Sequence, residues 1–137
     1  MEQLAQITSL LAKYAVGNDT NNVPMIGECF TDDAVFELVI NGNDGPPLVF
    51  NGREEIEELM RSSMESQGDI RRHFSTNLRI IALTETTAHI TSYLLLGVAQ
   101  YRGLQIKQSG LYEDNIVWGP AGPQFARRHL TMDGIFD

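Results

Sequence analysis

From His73 to Met132 the chain is almost entirely β-rich, in four long runs: His73–Leu83, Thr86–Gln100, Leu104–Trp118 and Gln124–Met132. The breaks between them are short and hold turn formers, with Thr84-Glu85-Thr86, Arg102-Gly103 and Gly119-Pro120-Ala121-Gly122-Pro123. Runs linked so briefly pair as a four-strand antiparallel meander. A sheet of that length must bury one face, and the cover lies upstream. Leu4, Ile7, Leu10, Leu11 and Tyr14 recur every three or four residues across 2–16, an amphipathic helix that turns the Tyr14 ring inward. The Gly17–Asn22 stretch breaks it, and Pro24 suits the first turn of a short helix over 23–29. Ala34–Ile40 reads as a strand, Asn41–Gly45 as a turn and Pro47–Phe50 as a returning strand. Asn51 and Glu54 then resemble a capping box opening a helix with Ile56, Leu59, Met60, Ser63 and Met64 on one face, ended by Gly68. The expected class is α+β, a cone-shaped α+β barrel with three N-terminal helices on a curved, mostly antiparallel sheet, as one domain over residues 1–137. Such a cone holds a cavity between its layers, where small ligands bind.

The charge balance narrows the ligands. Eighteen acids against ten bases give a net −8, which argues against nucleic acid and against anionic membranes. Cys29 is the only cysteine, so no internal disulfide and no thiolate zinc cluster can form, and it reads as a small buried hydrophobe. No apolar run approaches the ~20 residues of a membrane span, and Met1-Glu2-Gln3 does not begin a secretory signal, so a cytoplasmic location is expected. The Tyr93–Ala99 run is apolar at both parities. The helices cover only one of its sides, which predicts a homodimer through the sheet face.

Of three histidines, His73 stands in Arg71-Arg72-His73-Phe74-Ser75-Thr76-Asn77 at the start of a run expected to be a central strand. Alternation places His73, Ser75, Asn77 and Arg79 on one face and Phe74, Thr76 and Leu78 on the other. Tyr14, on the interior stripe, precedes Asp19 by five residues, so a phenol and a carboxylate reach the same end of the core. Asp19 alone reads equally well as a turn cap. In Arg127-Arg128-His129 either Arg128 or the pair Arg127 and His129 faces inward, while His89 reads as an exposed strand residue. Asp32-Asp33 reads as a turn, and Glu54, Glu55, Glu57 and Glu58 as a solvated helix face. No phosphate-binding glycine motif, nucleophile elbow or metal-ligand spacing occurs, so the expectation is chemistry with no cofactor and no metal.

Four segments together resemble the SnoaL-like branch of the NTF2-like superfamily. They are Tyr14 with Asp19; Cys29-Phe30-Thr31-Asp32-Asp33-Ala34-Val35-Phe36, like "FTDDAV"; Asn51-Gly52-Arg53-Glu54-Glu55-Ile56, like "G-R-E-x-I"; and Arg72-His73-Phe74-Ser75-Thr76-Asn77, like "RHF-x-x-N". Ser109-Gly110-Leu111-Tyr112-Glu113-Asp114 is similar to the family's "G-x-Y-x-D". The family's "G-W-x-I-x-R" is replaced by Gly122-Pro123-Gln124-Phe125-Ala126-Arg127, which leaves open whether Arg127 or Arg128 corresponds to the usual arginine.

By resemblance to scytalone dehydratase and the bile-acid dehydratases, catalytic roles fall on Tyr14, Asp19 and His73. The implied function is cofactor-independent acid–base catalysis, a lyase (dehydratase) or isomerase, on a small apolar carbonyl or hydroxyl compound such as a polyketide, steroid, terpenoid or aromatic. His73 would take the proton α to a carbonyl, Asp19 would hold its far nitrogen, and Tyr14 would donate to the oxygen. In the variant with ketosteroid isomerase roles, Asp19 is the base. Asn77, Arg128, Leu59, Met60, Phe74, Leu94 and Leu96 are the expected substrate-binding residues. The same fold also serves as a ligand-binding protein or a dioxygenase small subunit without turnover, and as an epoxide hydrolase, for which the inward carboxylates look too few.

Overall fold

The computed structural model describes residues 2–65 and 67–134. Helices α1 (Glu2–Asp19) and α2 (Val23–Gly27) come first, then strands β1 (Phe30–Ile40) and β2 (Leu48–Asn51), then helix α3 (Arg53–Met64). Strands β3 (Arg71–Leu83), β4 (Thr87–Gln100), β5 (Gly103–Gly119) and β6 (Gly122–Met132) follow. The six strands form one sheet in the order β2-β1-β6-β5-β4-β3. The expected meander is present, and β1 closes onto β6 as the one parallel pair in it. The sheet is open, with β2 and β3 as its edges, so the α+β cone is not a closed barrel and His73 lies on an edge strand rather than a central one. Register shifts interrupt the β1/β6, β3/β4, β4/β5 and β5/β6 pairings, irregularities of the kind that bend long strands.

Helix α1 runs past the expected break. Gly17 is helical, and a Cβ there would lie 2.8 Å from Ile26 Cγ1, so its absence lets α2 pack directly on α1. Asp19 is therefore the last residue of the helix, not a loop residue. Asn21, at φ 54°, takes the left-handed turn, and Asn22 N–H returns to Gly17 O at 2.8 Å. The Asn22 side chain in turn caps α2, accepting from Met25 N–H at 3.1 Å, with Pro24 in the first turn.

The expected capping box is not formed as read. Gly52, at φ 88°, is the N-cap of α3, and the Glu55 carboxylate, not that of Glu54, accepts from the Asn51 N–H. Helix α3 also stops at Met64, short of Gly68. Arg53 anchors it, donating from Nε to Phe30 O at 3.2 Å and pairing with Asp32 at 3.1 Å. Trp118 Nε1–H donates to Gln6 at 2.8 Å and so ties α1 to β5. The core between the layers holds Ile7, Leu10, Leu11, Ile26, Phe30, Ile56, Ile90, Ile116 and Phe125, and Cys29 is buried among them. Burial pushes the Cys29 thiol up to about 11, leaving it an inert hydrophobe. Among the described residues no helix is long and apolar enough to cross a membrane.

Candidate active site

The carboxylate at the end of α1 and the start of β3 are joined directly. An edge strand leaves alternate N–H groups without ladder partners, and the one at His73 donates to Asp19, 3.0 Å from Oδ1 and 3.2 Å from Oδ2. The His73 ring closes on the same carboxylate, with Nδ1 2.6 Å from Oδ1. Both side chains are mostly buried, 17% and 11% exposed. A carboxylate against Nδ1 fixes that nitrogen as the protonated one, so Nε2 carries the lone pair. Burial lowers the His73 pKa below 6.5, outweighing the hydrogen bond and charge of Asp19, which raise it. The imidazole is thus neutral at pH 7 and oriented by a carboxylate, which is the state of a general base.

His73 stands between two concavities. One, about 220 Å³, is the interior of the cone. Tyr14 and Tyr112 bring two phenols to its lining, Phe36, Leu38, Leu59, Met60 and Leu130 part of its apolar wall, and Leu94 and Leu96 the β4 side. The other, about 400 Å³, is a groove between α1 and the free edge of β3, lined by Thr8, Ala12, Val16, Asp19 and residues 73–78, so Asp19 lies on this side of His73 and not on the wall of the cone interior. The larger groove contains no phenol and only edge-strand residues opposite α1. The smaller cavity brings the His73 imidazole and two phenols to one apolar space, and it is the candidate site.

Tyr14 is buried and meets Tyr112 edge to face at 6.2 Å. Burial holds both phenols above their ordinary value of 10.0, partly offset by Arg128, so both remain protonated donors. Below them lies Arg128, 1% exposed, its guanidinium 3.5 Å from the Tyr112 ring centre, 4.3 Å from Tyr14 and 4.4 Å from Phe125. Its Nε lies 3.2 Å from Asp114 Oδ1, an ion pair off hydrogen-bond alignment. Burial, against the pull of Arg128, pushes Asp114 up to about 6.

Alternation in β6 thus turns Arg128 inward, while Arg127 and His129 face away and share Glu37. His89 is exposed, as expected. Of the expected lining, Leu59, Met60, Leu94 and Leu96 reach the cavity with Tyr14 and His73. Arg128 does not; it is covered by the aromatic rings and sits behind the wall. Phe74 points to the opposite face of β3 and is 40% exposed. Asn77 leaves the His73 face because a bulge between Thr76 and Arg79 breaks the alternation, with Asn77 at φ 55°. Asn77 and Phe74 line the edge groove instead.

Sequence reasoning missed Tyr112 on the cavity wall and Asp114 behind it. The signal was there: Gly110, Tyr112, Asp114 and Ile116 share one parity of β5, and a carboxylate on the buried parity needs a partner. Among the described residues no cluster of three or more His, Cys, Asp or Glu side chains could hold a metal ion.

The sequence profile of the SnoaL-like domain matches residues 1–129. The chain is a SnoaL-like domain. Its fold is that of solved structures described as having a cystatin-like fold, one of them an NTF2-like protein. It resembles a protein of unknown function from Mycobacterium tuberculosis at 25% identity and TM-score 0.81, over 96% of this chain and 72% of that one. A candidate scytalone dehydratase from Novosphingobium aromaticivorans matches at 21% identity and TM-score 0.75, over 95% of this chain and 83% of that one. The β subunit of a candidate aromatic-ring-hydroxylating dioxygenase from the same organism matches at 16% identity and TM-score 0.78, covering 98% and 92%. No curated protein matches the SnoaL-like chain.

Proposed function

We propose that this SnoaL-like chain is a cofactor-independent acid–base catalyst, a dehydratase or isomerase, acting on a small, largely apolar carbonyl or hydroxyl compound. The observation that carries the reading is the 2.6 Å contact between Asp19 and Nδ1 of His73, a residue lining a cavity that also holds two protonated phenols. Nε2 of His73 takes a proton from the carbon next to a carbonyl. The C–H electron pair moves into the carbonyl, and Tyr14, with Tyr112 beside it, donates to the developing enolate oxygen, a task worth about 2.7–4 kcal/mol for one aimed donor. In a dehydration the imidazolium then returns its proton to the β-hydroxyl, which leaves as water as the enolate collapses. In an isomerisation it returns the proton to another carbon. Asp19 is the positioning residue, since it already accepts from the ring and from the His73 N–H; this favours His73 over Asp19 as the base.

A cavity of about 220 Å³ lies below the ~300–1,000 Å³ of sites for drug-sized ligands. It suits a body of one or two rings better than a steroid skeleton. Leu59, Met60, Leu94 and Leu96 would supply its apolar contact.

A second copy of the chain is proposed to cover the outer face of the sheet, where Phe74 lies opposite Leu95 and Tyr93 opposite Leu111. Phe74 and Tyr93 are 40% and 53% exposed there.

The test of the catalytic reading is proton exchange in D₂O across cyclic ketones and β-hydroxyketones, followed by NMR. The wild type should exchange α-protons and His73→Ala should not. Equal exchange or turnover by wild type, His73→Ala and Asp19→Asn would instead favour a binding or subunit role.

A further inference from the structure

The wall of the cone cavity carries charge of one sign. The chain holds eighteen acids and ten bases. Yet among the described residues lining this cavity there is no Asp or Glu, and Arg71 is the one permanently charged side chain. Arg71 precedes His73 by two residues on β3, so both leave the strand on the same face, about 7 Å apart at ~3.3 Å per residue. Gln67 and Gln108 line the cavity with it.

Asp69 engages Arg71 from outside the cavity lining, at 2.7 Å on Nε and 3.3 Å on Nη2. Nη1 makes no hydrogen bond among the described residues. The side chains of this pair are 25% and 37% exposed, so solvent screens their attraction and Asp69 holds the guanidinium without saturating it. A neutral ligand would need nothing beyond the glutamines. An anion approaching a chain of net charge −8 needs a local cation to overcome the repulsion.

We propose that Arg71 is a specificity-determining residue that receives a carboxylate at one end of a small apolar substrate whose reacting carbon lies at His73. The inference rests on the reading of this cavity as the substrate site and names the class of substrate: an apolar ring bearing a short acid arm. The guanidinium presents parallel N–H donors that match a carboxylate.

The test is calorimetric binding of 2-naphthylacetate against its neutral isostere 2-naphthylacetamide, at low and high salt, with no turnover required. Wild type should bind the acid about tenfold more tightly than the amide, and added salt should shrink the preference. Arg71→Gln, with an unchanged thermal midpoint, should bring the two probes to about equal affinity. Asp69→Asn should widen the preference by freeing the guanidinium, and it reads the same charge effect if Arg71→Gln fails to fold. His73→Ala should keep the preference, so a failed acid–base reading leaves this result standing. Equal binding of acid and amide by wild type, no binding of either, or a preference that survives in Arg71→Gln would overturn the inference.

Discussion

At position 73 desolvation and hydrogen bonding oppose one another, and desolvation wins, leaving the imidazole below its ordinary 6.5. The proposed base must be neutral to act, so kcat/KM should be level near pH 7 and fall as pH drops through that lowered value, read as the acid limb of a pH–rate profile. His73→Ala should cost about 10²–10⁴-fold in kcat/KM. Asp19→Asn removes the charge that helps raise the imidazole pKa and weakens the hydrogen bond to Nδ1, so its acid limb should move to lower pH while the plateau falls. The same shift is a stability statement. The unfolded state binds the proton more readily, so the contribution of His73 is present above 6.5 and lost as pH falls through the folded value. Asp114 works in the other sense: its pKa is raised from 3.8 to about 6, so its contribution is present below 3.8 and lost as pH rises through about 6. Truncating Asp114 to Ala leaves the Arg128 guanidinium buried without its counter-charge. Urea unfolding should show a loss of about 3–5 kcal/mol.

Among the elements, β5 and β6 carry the tightest constraint on sequence. A Cβ at Gly110 would lie 2.7 Å from Thr131 O, and a backbone carbonyl cannot rotate away as a side-chain tip can. Gly110→Ala should therefore lower stability by about 1–3 kcal/mol by forcing the strands apart, measurable as a reduced urea midpoint. Helix α1 contributes differently: one carboxylate at its C-terminal residue satisfies an edge-strand N–H and orients the ring beside it. The helices, the hairpin, the meander and the inward face of Tyr14 were legible because each depends on local periodicity and turn chemistry. The length of α1 and the cap of α3 were not. Gly17 reads as a breaker until Ile26 is seen against it. Asn51-Gly52-Arg53 reads as a cap until Gly52 takes φ 88°. The bulge after Thr76 was equally hidden, because alternation read from a sequence assumes an unbroken ladder.

For the whole molecule, the apolar outer face around Phe74, Tyr93, Leu95 and Leu111 leads to an expectation about assembly. Sedimentation should give about twice the 15.3 kDa of one chain. Leu95→Arg, which places a charge at the centre of that face, should yield a folded monomer; an unchanged mass would show that this face is not the interface. The cavity lies on the opposite side of the sheet, and its wall residues come from α1, α3, every strand except β2, and Gln67 between α3 and β3. The proposed acid–base chemistry needs the layers to stay packed, so loss of the proposed activity and loss of near-UV circular dichroism should coincide on heating.

The sequence by itself determined the order of elements, the α+β layering, the family, and the trio of Tyr14, Asp19 and His73 as the residues to watch, because periodicity and short motifs act over a few neighbouring residues. Only the tertiary structure decided that His73 and Asp19 touch across 54 positions. The same holds for Arg128 sitting behind the phenols with Asp114, for Phe74 and Asn77 lying outside the cone, and for Arg71 as the lone charge on its wall. These are long-range placements. They depend on strand register, on one bulge and on which edge of the sheet is left free, and no local pattern encodes any of the three.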